Sequence, residues 1–173
     1  RLTSIAGLES VSEVGVDLQV SSNPELVNLE PLGGVRSVGG SVTLNYLDAL
    51  TDLTGLEQLD EVPGGLSLTQ NASLEGLAGL DGLQRVGGDL TIEANGSLED
   101  LSGLERLEAV GHSLTLQWNH QVTNLGPLGT LAAVGRDLRV VDNEGLCDAD
   151  VLEFFRSVDV GGQRDVSANT ACH

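Results

Sequence analysis

The 173 residues carry 26 acidic side chains against eight arginines and no lysine, for a formal charge of −18. So negative a surface repels phosphate backbones and anionic lipid head groups, which excludes nucleic acid and membrane surfaces as partners. No apolar run approaches the length of a membrane span. With 2% aromatic residues and no methionine, the core must be built from Leu, Val and Ile.

The chain opens in mid-pattern. Leu2, Ile5 and Leu8 fit the second half of a unit whose first full copy starts at Val14, and neither a leader nor an initiating Met is in view. We therefore expect upstream residues of a parent protein to cover that end. From Val14 a Val-Gly or Val-Pro pair recurs at Val38, Val62, Val86, Val110 and Val134, always 24 residues apart, and a partial seventh copy begins at Val160 after a slip of two.

With each Val as position one, position five reads Leu18, Val42, Leu66, Leu90, Leu114 and Leu138. Position seven reads Val20, Leu44, Leu68, Ile92, Leu116 and Val140, with polar residues between the two columns. This alternation predicts a strand with one buried face. Position ten is Asn23, Asn71, Asn95, Asn119 and Asn143, and Asn169 holds the place in the partial copy. Asn suits a tight corner, because its amide can bond backbone groups, tolerates left-handed dihedrals and can meet its stacked counterpart. Leu47 stands there in the second copy, where a bulge or altered turn is expected.

The rest of each copy places Leu at every third residue, as in Leu50, Leu53, Leu56 and Leu59. At about 100° per residue an α-helix would spread such leucines around its whole circumference. Pro31, Gly55, Gly79, Gly103 and Pro127 also interrupt this stretch. It predicts 3₁₀ turns and extended, cornered chain. Inward columns stacked about 4.8 Å apart, each side chain worth about 1.5 to 3 kcal/mol, would then stabilise an array that no single copy could.

Asp148–Val158 breaks the pattern. Asp148 as N-cap, a second acid in the first turn, and Val151, Leu152 and Phe155 at helical spacing predict a short helix that closes the end of the core. Cys147 and Cys172 fall one copy apart and one residue off, within disulfide reach. A loop of about 25 residues would add roughly 3 to 3.5 kcal/mol by chain entropy and imply an oxidising compartment. The alternative is two buried thiols in a cytosolic protein.

The run LAGLDGLQRVGGDLTIEANGSL, from Leu77 to Leu98, resembles the receptor L domain, a family that shares its L-x-L-x-x-N core with leucine-rich repeats. The likeness extends over almost the whole chain. It implies a right-handed parallel β-helix on an exported protein, secreted or at the cell surface, that often offers a sheet face to ligands. The dense cysteines of the animal receptors are missing, so growth-factor binding is not carried over; Arg in place of Lys, with abundant Gly and Ala, suits a bacterial surface or secreted homologue. The expected fold is thus an all-β right-handed solenoid of six 24-residue rungs plus a partial seventh, one domain over residues 1–173 with a C-terminal cap at 147–173.

No catalytic set, cofactor motif or metal motif stands out. His112 and His120 fall on opposite sides of a strand and His173 is the last residue, so a nucleophile–base pair is not legible. Glu57, Asp81 and Glu105 stack in one column, and Glu75 and Glu99 in another. Calcium, a basic partner, or water with Arg85 and Arg106 nearby would relieve such like-charge ladders; with no EF-hand or nonapeptide calcium repeat present, water and arginine are the expected relief. Asn71-Ala-Ser and Asn95-Gly-Ser match glycosylation sequons, but both asparagines belong to the corner column and read as fold residues.

The outward face of the strands remains, presenting Thr43, Tyr46, Thr69, Thr91, Glu93, Thr115, Gln117, Trp118 and Arg139. Tyr46 and Trp118 are either recognition anchors or rings packed over corners. The expectation is a non-enzymatic, monomeric interaction module whose sheet face binds a protein or glycan. A stalk-like spacer is the alternative, and ice binding another, suggested by the column Thr43, Ser67, Thr91 and Thr115.

Overall fold

The computed structural model describes residues 1–167, 169 and 170, which are mostly β, with parallel sheets and one helix. Seven four-residue strands lie side by side in sequence order: Leu18–Ser21, Val42–Asn45, Leu66–Thr69, Leu90–Glu93, Leu114–Gln117, Leu138–Val141 and Arg164–Ser167. Each pairs in parallel with the strand 24 residues on, Val42 with Leu66 and Thr43 with Ser67, until the last step, where Leu138 meets Arg164, 26 residues on. The expected period-two split follows. Val42, Leu44, Leu66 and Leu68 are at most 1% exposed, whereas Thr43, Asn45, Ser67 and Thr69 keep partial access to water.

The Val-Gly pairs form a second parallel ladder of two-residue strands, with Gly87, Gly111, Gly135 and Gly161 donating their N–H to the carbonyls of Val62, Val86, Val110 and Val134. This ladder is divided. Glu13–Val14 pairs only with Ser37–Val38, and the other five strands, from Glu61–Val62 to Asp159–Val160, form a separate sheet. The equivalent of the donating glycine at the division is Pro63, which has no N–H to offer the Val38 carbonyl.

From Leu26 on the aliphatic columns lie inside, while Leu2 and Leu8 of the first part-copy are 52% and 40% exposed. Leu50, Leu53, Leu56 and Leu59 are at most 1% exposed, as are Leu74, Leu77, Leu80 and Leu83 in the next copy. The three-residue leucine spacing has a direct cause in i to i−3 hydrogen bonds: Leu56 N–H donates to Leu53 and Leu59 N–H to Leu56, at 3.2 and 3.0 Å. Regular 3₁₀ turns occur at Glu30–Leu32 and Gly126–Leu128, the two copies with proline there.

At the corner the asparagines bond backward along the stack. The Asn95 Oδ1 accepts the N–H of Asn71 at 3.0 Å, while its Nδ2 donates to the Leu68 carbonyl at 3.0 Å. Asn71, Asn119, Asn143 and Asn169 repeat the arrangement. Asn71, Asn95, Asn119 and Asn143 are fully buried. Direct amide-to-amide contacts are secondary, at 3.3 to 3.5 Å.

Two expectations need correction here. The left-handed residue is not the asparagine but the one before it, with φ between 55° and 59° at Ser22, Tyr46, Gln70, Ala94, Trp118 and Asp142. Nor does Leu47 cause a bulge: register and turn are unchanged, and Leu47 is fully buried with its N–H held by Asn71. Because the amides serve the preceding copy, the bonds that Leu47 cannot make are owed to Asn23, which is only partly buried and within reach of water.

The helix runs Asp148–Ser157, and Val151, Phe154 and Phe155 are its buried residues. Its N-cap is Cys147, not Asp148. Leu152 is 42% exposed and Phe154 takes the inward place predicted for it, since the i, i+3, i+4, i+7 stripe through Val151 passes through 154, 155 and 158.

Asn95→Leu should cost about 1–3 kcal/mol in urea unfolding at neutral pH, the penalty of a buried Asn71 N–H left without an acceptor. An unchanged midpoint would show that the amide ladder carries no stability.

Candidate functional site: the outer face of the seven-stranded sheet

Parallel register sets the outward residues of the long strands in two straight columns. One reads Gln19, Thr43, Ser67, Thr91, Thr115, Arg139, Asp165, the other Ser21, Asn45, Thr69, Glu93, Gln117, Val141, Ser167, of which Val141 is buried, at 2% exposure. Thr43, Thr69, Thr91, Glu93, Thr115, Gln117 and Arg139 are thereby brought onto one surface as expected. These two columns hold one arginine and two carboxylates, and the corner column beside them, which carries Tyr46 and Trp118, adds Asp142, for net −2 on a chain of −18. Arg139 and Asp165 form an ion pair at 3.5 Å, with both side chains 46% exposed, and Asp142 accepts from Gln117, which leaves Glu93 as the face's one carboxylate without a side-chain partner among the described residues.

Part of the face is internally bonded. Ser67 Oγ contacts Asn45 Oδ1 and Thr69 Oγ1 at 3.2 and 3.1 Å, and Gln117 Nε2 donates to Asp142 at 3.0 Å. In the middle, the side chains of Thr91, Glu93, Thr115 and Trp118 have no hydrogen-bond partner among the described residues.

Tyr46 and Trp118 stand at the exit of their strands, in the left-handed column, and are 48% and 44% exposed. They do not seal the corners. Large aromatic residues are uncommon in this region, and holding a non-glycine residue there costs on the order of 1–3 kcal/mol. Strand-type bonds hold the column: Tyr46 N–H donates to Thr69 and Gln70 N–H to Glu93, at 3.1 and 2.9 Å.

Of the two acidic columns, both away from this face, that of Glu57, Asp81 and Glu105 serves the backbone, whereas the carboxylates of Glu75 and Glu99 accept no hydrogen bond among the described residues. Glu57 accepts the N–H of Gly55, Asp81 that of Gly79 and Glu105 that of Gly103, at 2.8 to 2.9 Å. Those glycines have φ of 116°, 106° and 111°. A Cβ on Gly79 would meet the Leu53 carbonyl oxygen at 2.1 Å, so the corner requires glycine for both dihedral and contact. Where Pro31 or Pro127 replaces that glycine there is no N–H to satisfy, and the residue two places on is Gly33 or Gly129 in place of an acid. The expected relief by Arg85 and Arg106 is not found, since Arg139–Asp165 is the one ion pair among the described residues.

The first such corner repeats the motif with Glu9, whose carboxylate accepts the Gly7 N–H at 2.9 Å. That bond holds Glu9 below the usual carboxylate range. Its contribution to stability is therefore present above the unfolded-state value and lost as pH falls through the lowered one. Asp17, Asp89 and Asp137 accept N–H groups of the following copy, and Asp52 and Asp100 close local turns.

Asn71 and Asn95 of the two sequons are wholly buried and bonded, closed to glycosylation in the folded chain. His112 is half-buried and His120 exposed on the far side of the Leu114–Gln117 strand; His173 lies outside the described residues. Cys147 is disulfide-bonded and bridges Thr170 in parallel, and Cys172, its expected partner, lies outside the described residues. Among the described residues no three His, Cys, Asp or Glu side chains converge as a metal site requires. Comparison with known proteins finds no matching family model, no similar curated protein and no similar solved structure.

Asp81→Ala should lower stability by about 0.5–2 kcal/mol, the range for losing a side-chain acceptor of an end-of-turn N–H, while Asp81→Asn, which keeps an oxygen, should recover most of it. Equal losses in chemical denaturation would mean that the charge, and not the Gly79 bond, is what matters.

Proposed function

We propose that the chain is a right-handed parallel β-solenoid of receptor L type, six rungs and a partial seventh, serving as a non-enzymatic exported interaction module that binds through its seven-stranded face. One observation carries the functional reading. Of 26 acids only Glu93, Asp142 and Asp165 belong to that face and its corner column; Asp165 is paired with Arg139 and Asp142 is bonded by Gln117. The fold requires no acid on this face, since its N–H groups belong to the strand ladder, but a solvated surface has no need to be free of them. A face that meets a ligand does, because charge taken out of water is costly unless matched.

The 24-residue register of both ladders supports the solenoid, with the return segments leading each strand to its neighbour. The disulfide at Cys147 supports an oxidising, exported setting. The non-enzymatic reading rests on how the acidic side chains are used: at Glu57, Asp81 and Glu105 they are engaged by backbone N–H groups and so are poorly placed for proton transfer.

The test uses immobilised arrays of glycans and of secreted proteins, probed with the wild-type chain, Thr91→Arg and Glu61→Arg. Thr91 is at the centre of the face and partly exposed, and Glu61 is an exposed residue of the other sheet. Thr91→Arg should abolish the specific signals while shifting stability by no more than about 0.5 kcal/mol, and Glu61→Arg should leave both intact. Leu90→Ala, one residue earlier and 1% exposed, should cost about 2–5 kcal/mol. Signals that survive Thr91→Arg would place binding elsewhere.

A further inference from the structure

We propose that the ligand of this face is an uncharged polysaccharide chain lying across the strands, with pyranose rings stacked on Trp118 and Tyr46; the inference rests on the sheet-face reading above. The two rings occupy the same left-handed corner position in copies 72 residues apart, three strand steps, or about 14 Å along the sheet. The two residues are about half exposed, and the apolar face of such a ring suits the C–H face of a sugar. Both aromatics hold the strained left-handed corner while keeping about half of their surface open to solvent.

Beside Trp118 lies the chemistry for sugar hydroxyls. Thr91 and Thr115 are adjacent across the Leu90–Glu93 and Leu114–Gln117 strands, and Glu93 pairs with Gln117, the residue before Trp118. Threonine hydroxyls both donate and accept, and a carboxylate only accepts. Sugar hydroxyls can supply both sides of those bonds.

Charge decides between ligand classes. Glu93 and Asp142 would oppose uronic or sulfated chains, and a basic protein would be drawn to the surfaces that hold the other acids more strongly than to a face of net −2. A neutral, hydroxyl-rich polymer is the ligand that such a face does not penalise. A sugar polymer also repeats at nearly the strand spacing, so one hydroxyl-bearing rung can meet each successive ring.

Trp118 is the chain's one tryptophan, and its emission reports directly on the site. The chain is titrated with cellohexaose, xylohexaose, mannohexaose, laminarihexaose and maltohexaose, with the corresponding disaccharides, and with an oligogalacturonate as the anionic probe. At least one neutral hexasaccharide should give a saturable emission change, bind at least about ten-fold more tightly than its disaccharide, and exceed the anionic probe by a similar factor. By calorimetry Trp118→Ala and Tyr46→Ala should each weaken it about ten-fold or more, with melting temperature unchanged or raised.

No saturable response to any neutral hexasaccharide would overturn the inference, as would tightest binding of the anionic oligomer or indifference to both aromatic substitutions. If the sugars fail while a protein on the array binds in a Thr91-dependent way, the glycan inference falls and the sheet-face reading stands. If a hexasaccharide binds but ignores Thr91→Arg and both aromatic substitutions, both fall together.

Discussion

The side-chain amide at position ten connects each copy of the repeat to the one before it. The corner between strand and return path leaves a backbone N–H pointing into an apolar interior, where it must find an acceptor. The asparagine 24 residues on supplies one, and its own N–H is met by the next: Asn71 by Asn95, Asn95 by Asn119, Asn119 by Asn143. The reach of this short side chain fixes how far one copy can shift against another. Once that register is set, the leucine columns align, the strands pair residue for residue, and the outward residues fall in straight lines. A flat face bearing Thr91 beside Thr115 follows from the bonds made by Asn95 and Asn119 beneath it.

The same economy accounts for much of the acidity. Nine carboxylates, those of Glu9, Asp17, Asp52, Glu57, Asp81, Asp89, Asp100, Glu105 and Asp137, accept backbone N–H groups at corners and turns. An ionised acceptor makes a stronger bond to an exposed peptide N–H than a neutral one, so acids gather wherever the path bends. The sheet face does not bend. Its N–H groups belong to the strand ladder, no carboxylate is required there, and the face is left almost uncharged for a reason internal to the fold that also suits a ligand.

The inward columns were legible in the sequence because period two and period three leave different marks in residue type, and Leu, Val and Ile seldom occupy those places for any other reason. Seven of the nine residues expected on the outer face were legible for the same reason, by alternation along the strands, whereas Tyr46 and Trp118 lie one step beyond it, in the left-handed corner column. Less visible was whatever depends on a bond to another copy. The role of Asp81 is written only in its pairing with Gly79, a correlation across copies that appears when Pro31 and Pro127 are seen to drop the acid. Leu47 looked like a defect because the direction of the amide bonds, backward and not forward, cannot be read from one strand. Leu152 and Phe154 exchanged roles because a helix of ten residues leaves little periodicity from which to fix its phase. The near-neutral face emerged only once the columns could be placed together.

Pro63 gives the molecule a seam. On either side of it the copies are joined by two hydrogen-bonded ladders, but between Val38 and Val62 only the long-strand ladder is continuous. Cooperativity in an array of this kind is carried by contacts between nearest neighbours, so a missing rung weakens one particular link in the chain of couplings. Besides the long strands, the second and third copies are held there by the Gly64–Gly40 backbone bond, return-path bonds such as Leu53–Ala78, and the Asn71 amide on Leu47. Tyr46 lies on one side of the seam and Trp118 on the other, and a ligand spanning both rings would act as a clasp across it, adding from outside the coupling that a missing N–H removes from within.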